Sequence, residues 1–399
     1  MLNEMLSQLA ALAVGVGANI QPGQTVGVGA DLGQEELARA IAAAAYARGA
    51  RFVDVRYFDL YVKRARIEHA SSETLDYVPS WYGERVLALG RERGANIALA
   101  GPVAPDAMLG LDPARVGRDQ LPFLKETLTV IHERALNWTV VPCPTAVWAK
   151  IVHPDLGQDE ALDRFSEEVA HLMRLEAPDP AAAWQARVDL LDAVAASLTE
   201  RRFDALHFEG PATDLTVGLL PSSSWQSARL ETVDGVLHIA NLPTEEVYAT
   251  PDPERAEGRV RSTRPLVLFD GTVIRGLEVE FRGGRAVRID AEEGAEVLRG
   301  RAAMDEGASR LGEVALVDRE SRIGALGTVF YDTLLDENAV SHIALGGGGE
   351  MGLSGQDRLR SNHSAIHVDF MIGGNDVSVT GITGEGERVP VLVGGVWQL

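Results

Sequence analysis

The sequence has a single cysteine in 399 residues, no apolar run of membrane-spanning length and no cluster of basic residues. Each absence removes a class of protein. One thiol, Cys143, cannot close an internal disulfide, which fits a reducing compartment. It lies in the apolar run Val140-Val141-Pro142-Cys143-Pro144, which favours a buried structural thiol over a nucleophile. A membrane helix needs about 18 or more consecutive apolar residues, and none are found. Glu4 stands where an export signal carries positive charge, and the apolar stretch 9–16 lacks a convincing cleavage site. The expectation is a cytoplasmic protein with no membrane partner. Lys+Arg 37 against Asp+Glu 58 gives a formal charge of -21, so nucleic acid is not an expected partner either.

Several catalytic signatures are also missing. There is no Gly-x-Ser-x-Gly, and Gly352-Leu353-Ser354-Gly355 lacks its first spacing, while Ser222-Ser223-Ser224 reads as a loop. A His-Glu-x-x-His helix, the mark of single-zinc proteases, does not occur. Gly27-x-Gly29 is followed next by Gly33, so the dinucleotide-binding spacing fails and a strand-to-helix turn is the simpler reading. No internal repeat is present, and the one low-complexity tract is Gly346 to Gly349.

What the chain does have is 46% hydrophobic content over a length that suggests two domains. Up to about residue 200, helical patterns alternate with short apolar strands: helix at 2–14, strand at 25–30, helix at 34–48, strands at 52–57, 96–100 and 139–141, helices at 158–175 and 181–200. This is an α/β pattern with a mostly parallel sheet. Beyond it, strands dominate at 203–208, 215–220, 266–269, 273–281 and 286–291, with one helix at 293–301, an α+β pattern. The boundary is placed at Glu200-Arg201-Arg202, giving an α/β N-terminal domain, 1–200, and an α+β C-terminal domain, 201–399. Trp138 and Trp148 read as packing for a domain junction.

Chemistry concentrates in the last fifth. His342, His363 and His367 are three of nine histidines, and Glu313, Glu337 and Asp369 lie close to them in sequence. Carboxylates and imidazoles together suit zinc, cobalt or manganese, and two ions need a bridging carboxylate. If 366–372 is a strand, His367 and Asp369 point to one face as a two-ligand platform. His363 shares that face but lies far along the strand, and is the weakest candidate. Glu337 and His342, five residues apart, are about 140° apart on a helix and need a turn to converge.

Four ordered stretches carry a resemblance: Asn241-Leu242-Pro243-Thr244-Glu245-Glu246-Val247-Tyr248, Leu311-Gly312-Glu313-Val314-Ala315-Leu316-Val317, Asp332-Thr333-Leu334-Leu335-Asp336-Glu337-Asn338-Ala339 with His342-Ile343-Ala344-Leu345-Gly346, and His367-Val368-Asp369-Phe370-Met371-Ile372-Gly373. The chain resembles the aminopeptidase T family of metalloaminopeptidases, and weaker echoes at 137–141 and 210–219 extend this over nearly its whole length. The resemblance implies a cytoplasmic homodimer that removes N-terminal residues, often large and apolar, from peptide substrates. It implies two divalent ions per chain, zinc or cobalt or else manganese or magnesium, held by Glu246, Glu313 as bridge, Glu337, His342, His367 and Asp369. The C-terminal domain is thereby the metal-binding catalytic one. Glu245 or Glu246 would relay a proton to the leaving amine.

The family places a catalytic Tyr seven residues after the central His, and Gly349 stands there in this chain. A phenol at that point would donate to the oxyanion, and loss of one such donor costs about 10² to 10³ in rate. Either protonated Glu350 or a backbone N–H of the glycine run replaces it, or the protein is a catalytically weak, metal-dependent peptide-binding protein.

Overall fold

A computed structural model of the chain describes residues 2–119, 121–122, 124–268 and 272–399. By its own contacts the chain falls into two units, Met1–Trp184 with Arg229–Pro243, and Gln185–Ala228 with Thr244–Leu399. The division expected at residue 200 differs from this in two places, each with a packing cause. The long helix Pro180–Arg201 contributes Leu191, Val194, Ala195 and Leu198 to the apolar core of the second unit. Segment 229–243 instead joins the first unit, where the N–H of Val140 donates to Ala240 at 2.8 Å and that of Leu242 to Val140 at 3.0 Å.

The first unit is built on a four-stranded parallel sheet in the order Phe52–Phe58, Thr25–Asp31, Ala95–Ala100, Asn137–Pro142. Parallel neighbours require crossover segments, supplied here by helices such as Glu35–Ala47 and Ser80–Arg91. Gly27 and Gly29 both lie inside the first strand, and the residue that turns the chain is Gly33, at φ +107°. Trp148 is fully buried within this unit, its ring 4.8 Å from that of Phe165.

In the second unit an eight-stranded antiparallel sheet runs in the order Arg285–Asp290, Glu278–Arg282, Pro251–Arg261, Thr213–Leu219, Ala205–Gly210, Ser378–Ile382, Arg388–Val393, Val396–Trp397. The strand expected over 273–281 is broken into Val273–Ile274 and Glu278–Arg282 around Gly276, whose φ of +59° turns the chain. Of the strand expected over 266–269, Leu266–Val267 is present, and Phe269 lies outside the described residues. A second antiparallel sheet has the order His367–Met371, His342–Gly346, Leu311–Val317, Glu246–Ala249. Only Thr250 separates the last of these from Pro251–Arg261, so one run of chain feeds both sheets. Among the described residues no helix is long and apolar enough to cross a membrane.

Burial, followed by the charges of Glu35 and Glu36, pushes the Cys143 thiol up to about 12. A thiol so placed is inert. The native protein is therefore expected to give no reaction with a disulfide reagent at pH 8 and one equivalent after denaturation. Prompt labelling of the folded chain would show an accessible thiol instead.

Candidate metal centre

The smaller sheet sorts its side chains by the period of two. Direct cross-strand partners share a face. The pairs Tyr248 with Ala315, Ala315 with His342, Glu313 with Ala344, Ala344 with Asp369, and Gly346 with His367 therefore define one side. Glu246 joins them two residues before Tyr248. The opposite side holds Val247, Val314, Leu316, Ile343, Leu345, Val368 and Phe370, all in the unit's apolar core. Five of the six expected ligands thus stand on one face, with the short side chains of Ala315 and Ala344 leaving space between them. Glu313 reaches this face through an irregularity: Leu311 opposes Leu345 and Glu313 opposes Ala344, so Gly312 is the extra residue of a bulge.

The distances divide the group in two. His342 Nε2 lies 3.1 Å from Glu246 Oε2 and 3.7 Å from Glu313 Oε1. His367 Nε2 lies 3.1 Å from Asp369 Oδ2 and 3.9 Å from Glu313 Oε2. Glu313 thus turns one oxygen toward each imidazole. One ligand atom from each of Glu246, Glu313 and His342 can be chosen so that all three lie within 4.8 Å of one another. The sixth residue, Glu337, sits in a 3-10 turn, Glu337–Ala339, just before the His342 strand, which supplies the turn its spacing demanded.

Each imidazole is aimed by its other nitrogen. His367 Nδ1 meets the carbonyl of Gly347 at 2.6 Å, and His342 Nδ1 meets that of Val340 at 3.3 Å. A carbonyl only accepts, so Nδ1 carries a hydrogen in each ring and Nε2 is the nitrogen turned to the carboxylates, bearing a hydrogen when the ring is charged and a free lone pair when it is neutral.

The electrostatics are those of crowded carboxylates. Burial raises Glu246 and Glu337, and the carboxylates of Asp369, Glu246 and Glu313 push Glu337 further, well above the ordinary range. Burial works against protonation of His342, but Glu246 and Glu313 outweigh it and hold its pKa well above normal. Asp369 does the same for His367. For Asp369 itself, burial is outweighed by His367, and its pKa is lowered. Two buried oxygens here, Glu246 Oε2 and Asp369 Oδ1, lack any hydrogen-bond donor. A carboxylate oxygen left so inside a protein calls for a cation. Orphaned oxygens and aimed imidazoles together fit a divalent metal.

Other expected residues lie elsewhere. Glu245 is fully buried, its Oε2 2.6 Å from Arg187 Nε, while the same guanidinium grips Asp318 at 3.0 and 3.1 Å. Glu245 therefore anchors the strand and does not join the ligands. Glu350 is exposed beyond the glycine run, and His363 is exposed with Ser361 Oγ at 3.5 Å. Gly349 has φ +73° with nothing within 4 Å of where a Cβ would stand, so a larger residue would find room but a strained backbone. Sequence reasoning passed over Tyr248, although its i, i+2 spacing from Glu246 placed it on the same face. Burial, then Glu313 and Glu246, push its phenol's pKa upward.

The fold and ligand set define a metal-dependent hydrolase of the metalloprotease class. The chain belongs to the thermophilic metalloprotease (M29) family, whose profile matches residues 2–397. It is 43% identical to Aminopeptidase T of Thermus aquaticus over 405 residues, covering 99% of both chains. It is 42% identical to Aminopeptidase T of Thermus thermophilus, covering 98% of both. The structure of wild-type AmpT from Thermus thermophilus superposes with a TM-score of 0.91 at 41% identity over 100% of both chains. The expected resemblance and fold class, a parallel α/β unit with a strand-rich second unit, therefore hold.

The glycines at this site touch backbone to backbone. A Cβ on Gly348 would fall inside the van der Waals radius of the Gly312 carbonyl, beside Glu313. Gly348→Ala is accordingly expected to cost about 1–3 kcal/mol or more and to lower metal content, read by thermal melting and elemental analysis. A variant with unchanged melting and full metal would show that this contact is not tight.

Proposed function

We propose that the chain is a metal-dependent aminopeptidase releasing N-terminal residues, large apolar ones such as leucine among them, from peptides, with two divalent ions on one sheet face. The observation that carries this reading is the set Glu246, Glu313, His342, His367 and Asp369 on a single face with two orphaned oxygens. The relatives' names supply the reaction class, since both are aminopeptidases.

Charge supports the count of two. Four carboxylates and two neutral imidazoles sum to a charge of -4, which two divalent ions neutralise and one does not. Glu246 and His342 would hold one ion and His367 and Asp369 the other, with Glu313, which turns an oxygen toward each imidazole, and Glu337 as the remaining carboxylates. Zinc, cobalt or manganese suit these donors better than magnesium, which avoids imidazole. When bound, the ions polarise the scissile carbonyl and make water acidic enough to attack at neutral pH. Of the two candidate proton relays, Glu246 stands on the ligand face, while the Arg187 pairing denies the role to Glu245. The apolar back of the sheet fixes these groups on a rigid element, so they need no rearrangement as the reaction proceeds. The single buried cysteine accords with a cytoplasmic setting.

Elemental analysis of protein reconstituted with excess zinc or cobalt should give two ions per chain, and chelation should abolish hydrolysis of aminoacyl p-nitroanilides. At free ion about 100 times Kd, loading should raise stability by about 2.7 kcal/mol for each site filled. Glu313→Ala should lose more metal and turnover than any other single ligand truncation, because both imidazoles face this carboxylate. One ion per chain, or a Glu313→Ala protein with both ions and near-normal turnover, would defeat the bridged pair. Metal binding without release of any amino acid would favour a peptide-binding protein. We also expect a two-fold dimer, so light scattering should give twice the 42.8 kDa chain mass at micromolar concentration; a monomer mass would reject it.

A further inference from the structure

A reaction that turns a planar carbonyl into a tetrahedral oxyanion gains most from a donor fixed where that charge develops. The ligand face offers few. Its carboxylates only accept hydrogen bonds, and both imidazoles direct their Nδ1 hydrogens away, into the carbonyls of Val340 and Gly347. The glycine run is partly spent as well: the N–H of Gly346 donates to Arg310 at 2.8 Å, and that of Gly347 to Ile366 at 2.8 Å. Gly349 brings no side chain, and Glu350 is exposed. One hydroxyl remains on this face.

Tyr248 stands two residues beyond Glu246 on the same strand and opposite Ala315, itself opposite His342. Ala315 presents only a methyl group, so no bulky side chain stands between the half-buried Tyr248 and the His342 strand on this face. The Tyr248 strand is held on both edges: one pairs with Leu311–Val317, where Tyr248 lies opposite Ala315, and on the other Gln226 donates its N–H to the Tyr248 carbonyl at 2.8 Å and accepts from the Tyr248 N–H at 2.9 Å. The ring is thus carried by a strand and not by a loop.

We propose that the Tyr248 hydroxyl is the side-chain donor to the reacting carbonyl oxygen, a catalytic residue of this chain that acts where Gly349 supplies nothing. The inference rests on the aminopeptidase reading for its reaction, but its geometry is independent of the number of ions. In the step, the Tyr248 hydroxyl keeps its proton and donates a hydrogen bond to the carbonyl oxygen as that oxygen gains the electron pair of the C=O π bond. The proton released by the attacking water passes to a carboxylate; as the oxyanion pair re-forms the C=O bond and the C–N bond breaks, that proton goes to the leaving amine, so Tyr248 undergoes no net change.

The test is Tyr248→Phe in the full-length chain, loaded with zinc or cobalt and assayed for metal content. Turnover of leucyl p-nitroanilide is measured, together with calorimetric affinities for the phosphonic acid analogue of leucine, a tetrahedral anion, and for leucine itself. The expected result is unchanged metal content, a kcat lower by about 10² to 10³ with KM within a few-fold, and a similar loss of affinity for the phosphonate alone. Equal phosphonate affinity in the two proteins, or a variant that loses metal, would overturn the proposal. If the parent chain binds metal and phosphonate but hydrolyses nothing, the aminopeptidase reading fails, and the phosphonate comparison still decides the role of the phenol.

Discussion

Three carboxylates and two imidazoles share one small sheet face, with Glu337 in the turn before the His342 strand, and the repulsion among the carboxylates is the constraint around which the second unit is arranged. Like charges at such spacing, partly removed from water, cannot all be borne without a compensating cation. The metal-free protein meets the problem by holding protons on His342 and His367, whose pKa values both stand well above normal. That remedy is partial, since Asp369 Oδ1 remains without a donor. The face is maintained because its reverse is anchored: Ile343, Leu345, Val368 and Phe370 are buried in a core that cannot turn over without exposing them. A slip by one residue would carry the ligands inward and the apolar set outward, so core packing and ligand placement specify the same register.

A second anchor lies at the strand's entry. Arg187 holds Glu245 and Asp318, and Trp397 Nε1 donates to Asp318 at 2.6 Å, while Asn338 Oδ1 accepts the Glu245 N–H at 2.7 Å. Two adjacent glutamates thereby take different parts. Glu245 is paired with a guanidinium that fixes the backbone; Glu246, immediately after it, faces the His342 imidazole at 3.1 Å on the ligand side. The two look interchangeable in Thr244-Glu245-Glu246, and only the helix residue Arg187, 58 positions earlier, separates them.

Much of this was legible beforehand, and the failures have physical reasons. Long periodic elements such as Glu35–Ala47, Gln158–Leu172 and Pro180–Arg201 were foreseen within a few residues, because their burial pattern repeats over several turns. The pairing of His367 with Asp369 followed from period two alone. Less visible were the strands Glu246–Ala249 and His342–Gly346, short and buried on both faces, where no alternation survives to mark them. The domain division was hidden for another reason: Pro180–Arg201 is one unbroken helix, and what separates its two ends is which core each buries, a tertiary fact. Segment 229–243 is likewise placed by its bonds to Val140, nearly 100 residues away, which no local pattern encodes.

The glycine run and the tyrosine bear on one another. Gly346, Gly348 and Gly312 are required where backbones meet, since a Cβ at any of them would overlap a carbonyl. Gly349 is under no such pressure, for it faces open space and only its φ of +73° favours glycine. Its lack of a side chain is therefore a matter of backbone conformation and not of packing. A donor on a loop at positive φ must be ordered before it can help, and that ordering opposes catalysis. A donor on a strand that is hydrogen-bonded along both edges is already in place, and the site forfeits nothing in orienting it. Tyr248 meets that condition, and no side chain is then needed at Gly349.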